Sequence, residues 1–289
     1  MTAEIATEPL DIEAAKLLDV LQPQGDAAPL FLVHAMGGVT GCYQPLADRL
    51  APHVPVYGLR APRPGEALFP LSTVEAMAEA YLRTLATVRG LQTINLAGWS
   101  MGGLIVFEMA RRLQARGVPI GSVVLIDTWM RREQFQPVQP PAHRSLLDRR
   151  RWRVFMKLAS GSIGMLEDEQ HQFWQLSEAL KRAFILDVAR VANPARYGGP
   201  DAQRRLDDDH RAYMVLRGAS DAYRPGRFSG RIVWISADGE HDIDSPKVWA
   251  ELASGGCEVV SCSGDHLAIV HEPFVSELAD AIAAAMSRG

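Results

Sequence analysis

The sequence lacks three features that would each assign it to a particular class of protein. It contains no run of about 18 apolar residues, so we predict no membrane-spanning helix. Its three cysteines, Cys42, Cys257 and Cys262, are an odd number in a chain of 289 residues, and we expect reduced thiols rather than a disulfide framework. A net charge of −4 gives no electrostatic reason to expect nucleic acid as a partner.

The amino terminus, MTAEIATEPLDIEAAKLL, also lacks the basic region followed by an apolar stretch that marks a signal peptide. Together with the absence of a disulfide framework, this predicts a cytoplasmic location. The Met1 start favours a discrete protein over an excised terminal domain.

Short apolar segments recur along the chain and alternate with segments of helical periodicity. The hydrophobic share of 47% and the charged share of 22% are ordinary for a globular protein. The apolar runs show no polar alternation, which is typical of parallel strands covered on both faces. Alternating strands and helices predict an α/β sheet with right-handed crossovers. The predicted strands are LFLVH (30–34), VPVYGLR (54–60), TINLAG (93–98), SVVLID (122–127), RIVWIS (231–236) and CEVVSC (257–262).

The clearest predicted helix is LSTVEAMAEAYLRTLATVRG (71–90), in which apolar residues recur at helical spacing. Ser72 and Glu75 have the spacing of a capping box, in which each side chain binds a free backbone N–H at the helix start. Glycine commonly ends helices, so Gly90 is the predicted end of this helix.

The alternation stops between residues 129 and 227, where only amphipathic helical stretches occur. About a hundred helical residues inserted between two strands indicate a cap over the sheet. We therefore predict an N-terminal arm over 1–29, a core formed by 30–128 and 228–289, and a helical lid insertion over 129–227.

The segment Gly98-Trp99-Ser100-Met101-Gly102 matches the pattern G-x-S-x-G, with a predicted strand before it and a predicted helix after it. That context is the one the pattern requires. A sharp strand-to-helix turn exposes the central hydroxyl at the carboxyl edge of the sheet, and the small flanking residues let the turn close. Ser100 is therefore the predicted nucleophile.

A serine hydroxyl needs a base to take its proton, and the base needs an acid to orient it. His266, in the loop after the last predicted strand, is the predicted base, and His271 is the weaker choice because it lies beside a proline near a helix start. Asp127 and Asp238 each follow a predicted strand and preserve the order Ser, Asp, His of α/β-hydrolases. The residue types and their spacing do not distinguish Asp127 from Asp238 as the catalytic acid.

An oxyanion hole needs two backbone N–H groups aimed at the developing negative charge. One is expected from Met101, directly after the nucleophile, and the other from the loop after the first predicted strand. Met36 is the preferred residue in that loop and Ala35 the alternative. We interpret His34 as a hydrogen-bonding residue that shapes the loop.

With these residues in place, the chain resembles the thioesterase domain family of nonribosomal peptide and polyketide synthases. The resemblance implies an α/β-hydrolase fold: a mostly parallel central sheet flanked by helices, with a helical lid insertion. In the chain-terminating members the acid follows the strand after the nucleophile helix, which favours Asp127, whereas the stand-alone proofreading members point to Asp238. The segments that carry the resemblance are PLFLVHAMGGVTGCYQPLADRL, PVYGLRAP, STVEAMAEAYLRTL, INLAGWSMGGLIVFEMARRLQARG and VVLIDTW.

The resemblance also implies the chemistry. Such enzymes accept an acyl or peptidyl chain from the phosphopantetheine thiol of a carrier protein onto the serine, and then release it by hydrolysis or macrocyclisation. The implied partner is an acyl or peptidyl carrier protein, and no bound cofactor is expected. The lid would enclose the acyl chain and govern the entry of water.

Aromatic side chains in and near the lid are candidates for lining an acyl tunnel, and a group of lid arginines is a candidate for docking an acidic carrier protein. Two acidic clusters, at 207–210 and 240–244, lack convincing metal-ligand spacing, so we predict no metal site. The predicted substrate-binding residues are Trp99, Trp152, Phe173 and Trp174, and the arginines are Arg149, Arg150, Arg151 and Arg153.

Three other functions fit parts of the same pattern. A proofreading (type II) thioesterase would remove aberrant acyl groups and prefer short chains such as acetyl or propionyl. A free-standing esterase would hydrolyse small soluble esters without a carrier. A hydrolase-fold binding protein would not react with a serine-directed fluorophosphonate.

Overall fold

A computed structural model describes residues 11–88, 90–130, 175, 177–238 and 244–288. Residues 1–137 and 215–289 form one compact unit, and residues 138–214 form a second. The predicted division into an arm, a core and a lid with the boundaries given above stays a prediction.

The first unit is built on a sheet of seven strands in the order β1-β3-β2-β4-β5-β6-β7. Strands β2 to β7 run parallel, and β1 pairs antiparallel with β3 at one edge. The strands are β1 (Leu18–Gln22), β2 (Leu30–Val33), β3 (Val56–Leu59), β4 (Ile94–Trp99), β5 (Ile120–Ile126), β6 (Ile232–Ser236) and β7 (Cys257–Ser261).

The edge strand β1 lies within the segment that sequence analysis treated as a lead-in arm. Its residues, LDVLQ, include Asp19 and Gln22, and most of them are only partly buried. Asp19 and Gln22 interrupt the apolar residues of this strand, so the apolar pattern that predicted the other strands does not detect it.

Helices cover both faces of the sheet and create two cores. Consecutive residues of the central strands point to opposite cores: Phe31 and Val33 pack in one, and Leu30 and Leu32 in the other. This arrangement explains the continuous apolar runs in the sequence. The helices of this unit are α1 (Ile12–Ala15), α2 (Gln44–Leu50), α3 (Val74–Ala86), α4 (Met101–Ala115), α8 (Ser245–Leu252) and α9 (Val275–Met286).

Helix α3 begins one residue later than the predicted capping box requires. Its N-cap is Thr73, whose extended backbone precedes the helix and whose hydroxyl accepts a 3.0 Å hydrogen bond from the Ala76 N–H. The capping-box assignment to Ser72 was therefore wrong, because the adjacent threonine takes the same role.

The described part of the predicted lid is helical, comprising α5 (Glu178–Ala192), α6 (Pro194–Tyr197) and α7 (Ala202–Ala222). Within the second unit, the carboxylate of Asp209 accepts hydrogen bonds from Arg196 and Tyr197, and Asp207 accepts one from Arg182. Two carboxylates of the acidic cluster at 207–210 thus accept hydrogen bonds from arginine or tyrosine side chains. In the part of the chain that the structure describes, no group of three or more His, Cys, Asp or Glu side chains is arranged to hold a metal ion.

None of the helices in the described ranges is long and apolar enough to cross a membrane. The cytoplasmic location expected from the sequence stays a prediction.

A buried carboxylate on α4 connects this helix to the segment that follows α7. Glu108 is 4% exposed, and its carboxylate accepts hydrogen bonds from Arg111 at 2.5 Å, Arg112 at 2.8 Å and the Tyr223 hydroxyl at 3.1 Å. Arg111 also donates to the carbonyl oxygen of Arg227. Because α4 begins directly after Ser100, these contacts anchor the helix that carries the predicted nucleophile.

We expect Glu108→Gln to lower the free energy of unfolding by about 2 kcal/mol, since it removes one charge from a buried, hydrogen-bonded ion pair. Glu79→Gln is the matched control, because Glu79 also pairs with two arginines, Arg112 and Arg116, but is 33% exposed. Its loss should be below about 1 kcal/mol. Urea denaturation of both variants provides the measurement. Equal losses would contradict the role of burial.

Candidate active site

Ser100 occupies a strained turn between β4 and α4. Its backbone angles are φ 57° and ψ −121°, a region that L-residues rarely adopt, and it is the residue before the first turn of α4. Its N–H donates a 2.8 Å hydrogen bond to the Ile126 carbonyl oxygen at the end of β5. The predicted nucleophile therefore lies at the carboxyl edge of the sheet, between two parallel strands.

The glycines of the motif permit close backbone contacts. A Cβ atom at Gly98 would overlap the backbone of Gly102, and one at Gly102 would lie 2.5 Å from the Val33 carbonyl oxygen and 2.7 Å from that of His34. The start of α4 consequently packs directly against the end of β2. This contact brings the residue after the nucleophile close to the loop predicted to complete the oxyanion hole.

The structure brings Asp127 and His266 together. The distance between Asp127 Oδ2 and His266 Nδ1 is 2.5 Å. An ionised carboxylate can only accept, so Nδ1 carries the hydrogen and Nε2 keeps its lone pair. An imidazole in this tautomer can receive a proton from a serine hydroxyl.

The environment of Asp127 keeps its carboxylate ionised. Burial would raise the pKa of this 1%-exposed side chain, but the hydrogen bond from His266 and the electrostatic interaction with that ring outweigh burial. A hydrogen bond from the Ala237 N–H and the nearby Trp129 indole lower it further, and the pKa of Asp127 lies below its usual value. The carboxylate is therefore charged at neutral pH.

The alternative acid, Asp238, lies one residue beyond the Ala237 that donates to Asp127. Its backbone N–H binds the Gly264 carbonyl oxygen at 2.7 Å. Burial, and then the charges of Glu277 and Asp238, raise the pKa of the Cys262 thiol to about 11. The charge of the Asp238 carboxylate thus contributes to the raised pKa of Cys262, whereas the Asp127 carboxylate contacts the imidazole of His266.

The loop that carries His266 is held against the end of β4. The indole N–H of Trp99, the residue before Ser100, donates a 2.9 Å hydrogen bond to the His266 carbonyl oxygen, and its ring centroid lies 5.5 Å from that of the imidazole. On the other side of the nucleophile, the Ile126 carbonyl that binds the Ser100 N–H directly precedes Asp127. Backbone and indole contacts therefore link all three predicted catalytic residues.

The two predicted donors of the oxyanion hole lie at a helix start and in a tight turn. Met101 is the first residue of α4, where a backbone N–H has no acceptor within the helix. Met36 is a central residue of the turn that the Gly38 N–H closes onto the Ala35 carbonyl oxygen at 2.9 Å. The assignment of these two N–H groups, with Ala35 as the alternative, stays a prediction.

His34 is fully buried and shapes this loop. Its Nδ1 lies 2.7 Å from the Ala35 carbonyl oxygen, so Nδ1 carries the hydrogen, and its Nε2 accepts from the Tyr81 hydroxyl at 2.7 Å. Burial lowers the pKa of His34 to about 4, so the ring is neutral at pH 7. These contacts match the interpretation of His34 as a hydrogen-bonding residue of the loop.

Among the predicted substrate-binding residues, only Trp99 falls within the described residues. It is 7% exposed and its ring contacts the imidazole of His266, so it is a buried residue that packs against the predicted base. The remaining lid residues lie outside the described residues: Trp152, Phe173, Trp174, and the arginines at positions 149, 150, 151 and 153.

A cavity of about 380 Å³ opens at the opposite edge of the sheet. Ile120 and Val233, near the amino-terminal ends of β5 and β6, are among its lining residues, together with Arg231 and Arg288. Ser100 and Asp127 follow the carboxyl ends of their strands, so this cavity does not belong to the site.

Residues 28–286 match the family model of the thioesterase domain. The chain belongs to the thioesterase domain family. Thioesterases are hydrolases, and the mostly parallel sheet with flanking helices is the α/β-hydrolase fold predicted from the sequence.

The relatives of this thioesterase-family chain include nonribosomal peptide synthetases. It is 37% identical over 115 residues to a dimodular nonribosomal peptide synthase of Bacillus subtilis (strain 168), a match that covers 39% of this chain and 5% of that protein. The chain therefore spans a small fraction of the length of this relative.

Solved structures of thioesterase domains have the same fold. A four-domain nonribosomal peptide synthetase, holo-AB3403 bound to AMP and glycine, superposes with a TM-score of 0.77 at 23% identity, covering 92% of this chain and 20% of that one. The Vlm2 thioesterase domain bound with a dodecadepsipeptide gives a TM-score of 0.66 at 21% identity, covering 93% and 97% of the two chains.

Sequence reasoning did not identify Trp129 as part of the site of this thioesterase-family chain. Its ring centroid lies 4.9 Å from that of His266, and its indole N–H helps to lower the pKa of Asp127. The only signal available was its position two residues after a predicted acid, because ring contacts between distant segments leave no periodic pattern.

Proposed function

We propose that this chain releases an acyl or peptidyl chain from the phosphopantetheine thioester of a carrier protein, through an acyl-enzyme on Ser100. The observation that supports this most directly is the hydrogen bond between Asp127 and His266, next to a serine in a strained strand-to-helix turn. The family supplies the class of reaction.

In the acylation step, Nε2 of His266 takes the proton of Ser100 while Oγ attacks the thioester carbonyl carbon. The tetrahedral oxyanion accepts hydrogen bonds from the backbone N–H groups of Met101 and Met36. The imidazolium, held by the carboxylate of Asp127, then returns the proton to the leaving thiol. A Ser-His-Asp triad thereby forms an ester on Ser100 and frees the carrier arm.

In the release step, Nε2 of His266 removes a proton from water or from a nucleophile within the acyl chain, which attacks the ester carbonyl carbon on Ser100. The bond between that carbon and Ser100 Oγ then breaks, and the imidazolium returns the proton to Oγ. Attack by water gives a free acid, and attack by an internal hydroxyl or amine gives a ring. The helical lid over 129–227 would decide between these outcomes by enclosing the chain and limiting the access of water. The partner is an acyl or peptidyl carrier protein, and the reaction requires no bound cofactor.

Intact-protein mass spectrometry after mixing with an acylated carrier protein tests this function. We expect the wild-type protein to gain the mass of the acyl group and Ser100→Ala to gain none, because only the serine hydroxyl can form the ester. The second readout is kcat/KM for a long, native-like acyl carrier, an acetyl carrier and a simple soluble ester.

The substrate panel separates the proposed function from its rivals. A preference for the long acyl carrier supports chain release. A preference for acetyl or propionyl carriers would assign a proofreading role instead, and equal turnover of simple esters would assign a free-standing esterase. Failure of a fluorophosphonate to label Ser100 would contradict any serine-hydrolase function.

A further inference from the structure

One exposed side chain contacts both members of the Asp–His pair. The ring of Trp129 lies 4.9 Å from the imidazole of His266, centroid to centroid, at an interplanar angle of 39°, and its indole N–H interacts with the Asp127 carboxylate and lowers the pKa of that group. Trp129 is also 42% exposed, although a large aromatic residue gains most from full burial. Something other than burial of its own ring therefore holds it at the site.

The backbone on both sides of Trp129 is fixed by the core. The carbonyl oxygen of Thr128 accepts two 2.9 Å hydrogen bonds, from the indole N–H groups of Trp234 and Trp249. The N–H of Met130, a fully buried residue, donates a 2.8 Å hydrogen bond to Ser245 Oγ. Thr128 and Met130, the residues on either side of Trp129, thus cannot move without breaking buried hydrogen bonds.

Trp99 makes a different contact with the same imidazole. Its ring lies 5.5 Å from that of His266, but its N–H binds the His266 carbonyl oxygen and the side chain is 7% exposed. Trp99 therefore fixes the backbone of the histidine. Trp129, in contrast, contacts the imidazole ring and also interacts with the carboxylate of the acid.

We propose that Trp129 is a positioning residue that aligns the imidazole of His266 with the carboxylate of Asp127 and covers the hydrogen bond between them. This role rests on the proposed function above. The indole N–H interacts with the carboxylate that holds the imidazole, which favours one orientation of that carboxylate. The indole ring limits the imidazole to orientations that keep Nδ1 on Asp127, and excludes water from a hydrogen bond that is stronger when dry.

The ring of Trp129 also lies beside a group that becomes a cation during the proposed reaction. Cations near the face of an indole are stabilised by the ring quadrupole, and the base becomes a cation when it takes the serine proton. Trp129 therefore contributes more to the transition state than to substrate binding. This predicts a loss in kcat with little change in KM when the side chain is removed.

Two substitutions separate the contributions of the ring and the N–H. Trp129→Phe keeps an aromatic ring and removes the donor, and we expect kcat to fall about 10-fold. Trp129→Leu removes both, and we expect a fall of roughly 100-fold with KM within about twofold of wild type. Val20→Ala, at an exposed position on the edge strand β1, is the control for loss of exposed apolar surface, and its kcat should not change.

A proton NMR signature provides a readout that needs no substrate. The Nδ1 hydrogen of His266, shared with Asp127 at 2.5 Å, should give a far-downfield resonance that is lost in His266→Gln. In Trp129→Leu we expect this resonance to broaden by exchange with water, with the melting temperature unchanged. A merely structural role would lower the melting temperature and leave the resonance of the folded protein as sharp as in wild type.

The outcomes distinguish this proposal from the proposed function. An unchanged resonance together with a kcat within twofold of wild type in Trp129→Leu would overturn the positioning role. A large rise in KM at constant kcat would also overturn it and assign Trp129 to substrate binding. If the wild-type protein does not turn over carrier thioesters, the proposed function fails, while the resonance and the rate of fluorophosphonate labelling of Ser100 still report on positioning.

Discussion

Replacing Ser100 by alanine is expected to lower kcat for an acyl-carrier thioester by about 10⁶-fold, because no other group in the proposed mechanism can form the acyl-enzyme. Alanine at φ 57° has the same backbone strain as serine, so the melting temperature should stay close to that of wild type. Single-turnover kinetics with a fluorescent acyl chain, together with thermal denaturation, provide the measurement. A residual rate above about 1% of wild type would show that a different nucleophile carries the reaction.

A glycine at position 100 is the matched variant for the backbone. It also lacks the hydroxyl, so its activity should equal that of Ser100→Ala. Glycine adopts the positive φ of this turn without steric cost, so it should unfold with a free energy about 1 kcal/mol higher than the alanine variant. Equal stabilities of the two variants would mean that the turn is not strained in solution.

Asp127→Asn is expected to lower kcat by about 10⁴-fold, since an amide favours the wrong tautomer of the histidine and cannot stabilise the imidazolium. Asp238→Asn is the matched control. It makes the same change one residue beyond Ala237, and its effect should stay within a fewfold. Steady-state kinetics on one carrier thioester compare the two, with circular dichroism to verify folding. A larger loss in Asp238→Asn would reassign the acid.

The central part of the fold could be predicted because its strands are buried on both faces. Every residue of β2, β4 and β6 is buried, and each of these mainly apolar strands was predicted within one or two residues of its bounds. Edge strand β1 was missed because Asp19 and Gln22 interrupt its apolar pattern. Edge strand β7 was predicted despite its low burial, because Val259 and Val260 give it an apolar centre that β1 lacks.

The sequence pattern limited the catalytic acid to two candidates but did not choose between them. Parallel strands end at one edge of the sheet, so both aspartates were expected near the histidine, and neither residue type nor spacing separated them. The direction of Asp127 depends on its positive φ of 42° and on the hydrogen bond from its N–H to the Ile235 carbonyl oxygen. Positive φ in a residue other than glycine leaves no mark in the sequence, so the contact required the coordinates.

The buried contacts of Met130 and Tyr223 have a practical consequence for domain engineering. Met130 is tied to Ser245 and Tyr223 to Glu108, so each of these residues is part of the core even though both fall inside the predicted insertion of 129–227. Splice points for transplanting an insertion from another thioesterase domain therefore belong after Met130 and before Tyr223. A chimera joined at 128 and 228 would lack Trp129, the hydrogen bonds between Met130 and Ser245, and the hydrogen bond between Tyr223 and Glu108. We expect such a chimera to lose activity whatever its substrate selectivity.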